Sequence, residues 1–319
     1  MPPIVSVVIP VFNVENYLEK CLDSVIGQAY KKIEIIAIND GSTDRSPEIL
    51  ESYKNRFPNM KVIHQGNSGI SEARNRGIEV AEGKYIYFLD SDDYILPDTI
   101  GNLVDAMETN KLDLIRFGAE PFLDGAEYKD FDRNLYDFQR FFRQGKIYEK
   151  EEFLKATIRG FSPSPCLYLL RRDLLIKNEL RFFPGIMHED ELFSLQVYLN
   201  TNRAMYDPHF YYKRRYRAGS IMTSQRSQEK IKKSFDSYCH LVNLVAELYP
   251  IYRGNLERKL IKSRIRSLYI GLYYKNVDTN YKRKKIEELK GISKVEKIYY
   301  TQSYKLKNFV KTTLKNGRS

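Results

Sequence analysis

Residues 90–93 read DSDD and crowd three carboxylates, Asp90, Asp92 and Asp93, into four positions directly after an apolar run. Their mutual repulsion is costly unless a cation or a donor-rich partner offsets it. Oxygen-only donors suit a hard divalent cation, Mg2+ or Mn2+. An EF-hand-like calcium loop fails for want of that pattern's glycine and distant glutamate. A solvated acidic turn is the plain alternative. Residues 39–44, NDGSTD, place Asp40 where it can accept hydrogen bonds from a nucleotide base or ribose. The same residues also make a turn at Gly41 with Ser42, Thr43 or Asp44 as a helix cap. GISEARNRG, residues 69–77, carries Arg74 and Arg76, either of which can neutralise a diphosphate or simply be surface charge. HED, residues 188–190, sets Glu189 and Asp190 at a helix start. A helix N-terminus favours ionised carboxylates, which explains the acids structurally and also keeps a general base ready.

These residues need a frame that gathers them. Apolar runs at Ile4–Ile9, Ile33–Ile38, Lys61–His64 and Tyr85–Leu89 alternate with helical periodicity over Asn16–Gln28, over Asp44–Arg56 and from Ser71 to a stop at Gly83. That alternation predicts an open α/β sheet with parallel strands buried on both faces. Ligands of such sheets bind at the carboxyl ends of the strands. PVFN (residues 10–13), NDGSTD and DSDD all fall at such ends. Helices are expected near Asp98–Thr109 and Lys150–Arg159 and from Glu189 onward.

VSVVIPVFN, NDGSTD, NSGISEARNRG, YIYFLDSDD and HEDELF, in that order, resemble glycosyltransferase family 2. The resemblance runs from about residue 4 to 200, and YKRRYRAGSI (212–221) resembles the Arg-x-x-Ser stretch that closes many such domains. It implies a GT-A fold, Rossmann-like and α/β with a mostly parallel central sheet, followed by a helical C-terminal region. It also implies inverting transfer from a nucleotide-sugar donor, with a UDP-sugar expected, to a glycan acceptor, lipid-linked or free, in bacterial surface-polysaccharide synthesis. A glycoprotein acceptor is the alternative. Carried over by position, Pro10, Val11 and Asn13 line the nucleotide pocket, Asp40 holds uracil or ribose, and Asn67 and Arg74 contact the nucleotide. Asp90, Ser91 and Asp92 form the DXD motif, with Asp92 the direct ligand of Mn2+ or Mg2+ and Asp90 beside it. Asp190 is the expected base, next to Glu189. Arg214 or Arg217, with Ser220, reaches the diphosphate. The expected division is residues 1–220 as catalytic domain, with a donor half 1–98 and an acceptor half 99–220, and 221–319 as a basic helical region.

Composition bounds the rest. With 319 residues and 42% hydrophobic content a sizeable core forms, so disorder and fibrous repeats are excluded. Cys21, Cys166 and Cys239 make no CxxC pair and His64, His188, His209 and His240 make no HExxH, which disfavours zinc chemistry. A dehydrogenase would want GxGxxG after the first strand, and a nucleotidyltransferase a glycine-rich basic loop there. PVFNVEN supplies neither.

Charge is uneven, with 27 Lys and Arg against 8 Asp and Glu from residue 212 onward. No nucleic-acid-binding motif accompanies the basic residues, so nucleic acid is not the expected partner. A helix over Leu256–Tyr274 puts Leu260, Ile261, Ile265, Leu268 and Leu272 on one face. That face suits packing on the catalytic domain or on a second subunit as a homo-oligomer. The basic face also suits peripheral contact with an anionic membrane. Without a signal peptide or an 18-residue apolar run, the expected location is cytoplasmic, with the inner face of the membrane as the docking surface.

Overall fold

The structure, a computed structural model, describes residues 4–125, 131–217 and 227–316, with side chains as far as 305. Two compact units form: Met1–Gly185 with Phe193–Ser224, and Ile186–Leu192 with Gln225–Ser319.

The first unit begins β1 (Val5–Val11), α1 (Glu15–Ile26), β2 (Ile33–Asp40), α2 (Ser46–Arg56), β3 (Met60–Gln65), α3 (Ile70–Val80), β4 (Tyr85–Phe88). Every residue of β1, β2 and β4 is buried, as strands covered on both faces require. The order β3-β2-β1-β4 is parallel throughout. Pro10 sits in the central strand without cost to the ladder. Val8 O accepts from Leu89 N, so residue 10 turns to the same side, beyond the last β4 pairing at Phe88.

Beyond β4 the sheet is mixed. β5 (Tyr94–Ile95), α4 (Thr99–Thr109), β6 (Leu114–Asp124), β7 (Ile147–Glu149) and α5 (Lys150–Arg159) follow in the chain. Then come β8 (Tyr168–Arg171), α6 (Arg172–Lys177), α7 (Glu189–Asn200) and β9 (Arg203–Arg217). The sheet continues β4-β8-β6-β9-β5, with β7 also on β9. β4–β8, β8–β6, β9–β5 and β7–β9 are antiparallel and β6–β9 is parallel. The parallel half is the half that alternation in the sequence reveals.

Two caps differ from expectation. Gly69, not Ser71, precedes α3, and Ser71 Oγ instead donates to Phe183 O at 2.9 Å. The helix stops at Val80, before Gly83. Gly83 is required for another reason, since a Cβ there would lie 2.7 Å from Ser6 N. At this end of the sheet Glu34 is buried. Its Oε1 accepts from Ser6 Oγ at 2.5 Å and Glu82 N at 2.7 Å, and its Oε2 pairs with Lys61 Nζ at 2.9 Å. Burial alone would raise this carboxyl, but these donors hold it below the usual range.

The second unit holds α8 (Gln228–Glu247), α9 (Asn255–Tyr273), α10 (Thr279–Glu287) and α11 (Lys294–Asn316). Ser227 caps α8 through Lys230 N, and Asp278 caps α10 through Tyr281 N. Ser293 and Glu296 exchange hydrogen bonds as a capping box for α11. Leu260, Ile261, Ile265, Leu268 and Leu272 of α9 are all buried, and α9 packs on α8 and α11. Among the described residues no helix is long and apolar enough to cross a membrane.

Candidate active site

The carboxyl ends of the parallel strands share one edge of the sheet, and side-chain bonds knit their loops together. Asn13, at φ 50°, accepts from Thr43 N through Oδ1 at 2.8 Å, while its own N–H donates to Ser42 Oγ at 3.1 Å. Asp44 Oδ2 accepts from Glu15 N at 2.9 Å, and Ser46 Oγ from Val14 N at 3.1 Å. The residue that precedes α2 is Arg45 rather than the expected cap Ser42, Thr43 or Asp44, but Asp44 accepts from the first N–H of both helices, Glu15 N of α1 and, through Oδ1, Ser46 N of α2 at 3.0 Å. Pro10 and Val11 are buried in β1 just ahead of this junction. Phe12 between them and Asn13 is 46% exposed, an apolar ring at the strand end that can stack on a flat ligand.

Asp40 ends β2 and is buried. Its Oδ1 accepts from Gln65 Nε2 at 2.8 Å and Ser68 N at 2.9 Å, and its Oδ2 from Gly69 N at 2.8 Å. The sequence reading turns this carboxylate to the nucleotide; the structure turns it to the loop before α3. Gly41 has φ +72°, and a Cβ there would meet Asn67 N at 2.7 Å. A side chain at 41 would therefore push away the loop that presents exposed Asn67.

On α3, Arg74 is buried and donates from Nη2 to Asp90 Oδ1 at 2.8 Å, with Phe182 under its guanidinium at 5.1 Å. Gly77 allows this approach, because a Cβ there would lie 2.2 Å from Val8 Cγ1. Arg76 points elsewhere and pairs with Glu79 on the surface at 2.8 Å. The surface alternative holds for Arg76 and not for Arg74.

DSDD lies between β4 and β5, and the β5–β9 pairing of Tyr94 with Lys213 brings the KRRYR stretch alongside. Arg217 Nε reaches Asp92 Oδ2 at 2.9 Å. Arg215 Nε donates to Asp92 O at 2.7 Å, and its N–H to Asp93 Oδ1 at 2.6 Å. Tyr212 Oη donates to Asp93 Oδ2 at 2.5 Å. Burial would push Asp90 up, but the Arg74 and Arg214 charges hold it below the ordinary carboxylate range. Burial and the Asp92 charge push Asp93 up to about 8. Ser91 is buried in the turn closed by Asp93 N on Asp90 O at 3.0 Å. Of the two arginines left open by the sequence, Arg217 contacts the acidic turn directly and Arg214 lies over the Tyr136 ring at 5.3 Å and acts on Asp90 through its charge, while Arg215 and Tyr212 bond the turn as well. Arg217 lies over the Tyr17 ring at 4.8 Å and Arg215 at 4.9 Å. Ser220 lies outside the described residues.

A divalent cation fits this chemistry. The donors are carboxylate oxygens, Asp92 is a quarter exposed, and its present partner is already a cation. Among the described residues no group of three or more His, Cys, Asp or Glu could enclose a metal.

Glu189 is buried and Asp190 partly exposed in the first turn of α7. They belong to the second unit, whereas the division expected from the sequence places HED in the acceptor half, 99–220, of the catalytic domain. The physical reason is local: neighbours His188 and Glu191 bond to α8 and α9, at Ser234 and Arg264.

This fold and its strand-end motifs are those of a known class. The family model for Glycosyl transferase family 2 matches residues 6–178, and the chain belongs to that family. Among its relatives, the uncharacterized glycosyltransferase YibD of Escherichia coli K12 is 30% identical over 79% of this chain and 72% of its own length. Glycosyltransferase GlyA of Streptococcus pneumoniae serotype 4 is 31% identical over 98% of this chain, which spans only 46% of GlyA. The crystal structure of S. aureus TarS 1-349 in complex with UDP-GlcNAc superposes with a TM-score of 0.68 at 22% identity, over 90% of this chain and 79% of that one.

Proposed function

We propose that this glycosyltransferase inverts the configuration of a sugar taken from a UDP-sugar and places it on a hydroxyl of a bacterial surface glycan. The observation that carries the reading is that two acids of DSDD each meet an arginine, Arg74 on Asp90 and Arg217 on Asp92. A site that already balances anionic and cationic groups can exchange partners with a metal diphosphate. Asp92, with Asp90 beside it, would hold Mn2+ or Mg2+, which when bound supplies charge stabilisation for the leaving diphosphate. Arg217 and Arg214 then serve phosphate oxygens, since guanidinium forks suit them. Pro10, Val11, Asn13 and Asn67 bound the nucleoside, and Asp40 keeps Asn67 in place.

The acceptor oxygen attacks the anomeric carbon opposite the leaving group. Its C–O bond forms as the bond to the diphosphate oxygen breaks, and that oxygen keeps the electron pair. The acceptor proton passes to Asp190. No covalent enzyme intermediate is needed, so configuration inverts, as in single-displacement glycoside hydrolysis.

Residues 225–319 are strongly basic, and α11 exposes Val295, Ile298 and Tyr299. These features support peripheral contact with an anionic bilayer, useful for a lipid-linked acceptor. Sedimentation with anionic liposomes at low salt, lost at high salt, is the expected result, and protein left in the supernatant at low salt would refute it. The transfer reading is tested by a screen of nucleotide sugars with Mn2+, Mg2+ or EDTA. UDP release from a UDP-sugar only with metal is expected, and release undiminished in EDTA would contradict it.

A further inference from the structure

Around HED, the second unit builds more than a helix start requires. His188 takes φ 65°, a left-handed conformation that a non-glycine residue adopts at a cost and keeps only when its surroundings enforce it. Its Nε2 hydrogen-bonds Ser234 Oγ at 3.0 Å, and its ring meets the Tyr238 ring edge-on at 4.9 Å. Lys275 Nζ donates to the same Ser234 Oγ at 2.8 Å. One residue before, Met187 N donates to Ser237 Oγ at 3.0 Å. Beyond the two acids, Arg264 Nη2 meets Glu191 Oε2 at 2.6 Å, with both side chains only 13% exposed. Tyr238 keeps its place because α9 presents Gly271 to it, where a Cβ would lie 2.5 Å from the ring.

The bonds therefore bracket Asp190: Ser234 and Ser237 of α8 hold residues 187 and 188, and Arg264 of α9 holds residue 191. We infer that Ser234 and Arg264 are positioning residues, clamping the turn that carries Asp190 from both sides. The inference rests on the reading of Asp190 as the base. Misplacing a reacting group by about 1 Å costs on the order of 100-fold in rate, so a slackened clamp acts on turnover and not on donor binding.

The test uses the full chain with Arg264→Gln, Arg264→Lys and Ser234→Ala, each checked for folding by circular dichroism. Amide hydrogen exchange of residues 187–192 is measured beside UDP release from the UDP-sugar that the wild type turns over, and UDP affinity. Arg264→Gln and Ser234→Ala are expected to speed exchange in this segment at least tenfold and to lower kcat 10- to 100-fold. UDP affinity should stay within twofold, and Arg264→Lys should recover most of kcat. Unchanged exchange in both loss variants would overturn the clamp whatever the rates. Faster exchange with unchanged kcat would overturn the positioning role. Asp190→Asn separates the two readings: wild-type turnover in that variant refutes the base, while the exchange result alone judges the clamp.

Discussion

Arg217 Nε sits 2.9 Å from Asp92 Oδ2, so the acid expected to bind a metal is held by a guanidinium. The pair is partly exposed, and its members stand on β9 and on the turn after β4, brought together by β5–β9 pairing. Asp92→Ala is therefore expected to leave the fold intact, because its main-chain oxygen still accepts from Arg215. UDP-sugar turnover should fall about 100- to 1000-fold, the scale of a lost electrostatic stabiliser. Steady-state UDP release and thermal melting check this; unchanged turnover would remove Asp92 from the site.

The Arg74–Asp90 pair behaves differently because its arginine is buried, 4% exposed against 18% for Arg217. Arg74→Ala leaves the Asp90 carboxylate without the cation that most lowers its protonation. We expect a loss of about 1–3 kcal/mol in denaturant unfolding, the scale of a lost hydrogen bond to a charged group. A loss under 0.5 kcal/mol would contradict the assigned geometry.

Asp40 acts through the loop it holds. Asp40→Ala frees Ser68 N and Gly69 N, and is expected to weaken UDP binding by about 1–3 kcal/mol in calorimetry. Unchanged affinity would dissociate the residue 65–69 loop from the nucleotide.

Glu34 gives a pH signature. Its folded carboxyl titrates below its unfolded value, so its stabilisation is complete above about pH 4.3 and is lost as pH falls through the folded value. Glu34→Gln should cost about 1–3 kcal/mol at pH 7, with the two stability curves converging in acid. A gap that widens as pH falls would refute the assignment.

All three thiols are buried, and burial raises each above its ordinary value, Cys239 to about 12. Thiol reagent at pH 8 should leave the native protein unmodified and label three cysteines after denaturation. Rapid labelling of the folded chain would contradict this packing.

The parallel half of the sheet was readable because β1, β2 and β4 are apolar at nearly every position and are separated by periodic helices. β6 and β9 were not. Gly118 and Pro121 make β6 look like a turn, and β9 carries Asp207-Pro208 in its middle, where the pairing with β6 shifts register at 117–119. Gly118 is needed there because a Cβ would lie 2.4 Å from Phe210, a contact between residues 92 positions apart. Without β9 the register of Arg214, Arg215 and Arg217 on DSDD could not be read. The motif acids themselves were legible; their partners depend on such long-range pairings, as HED depends on Ser234 and Arg264.

The proposed single displacement at the anomeric carbon inverts its configuration. Time-resolved proton NMR of the sugar released from a UDP-α-sugar with Mn2+ tests it most directly. The β anomer is expected first, with the α anomer growing in only by mutarotation. Initial release of the α anomer would show retention and contradict it.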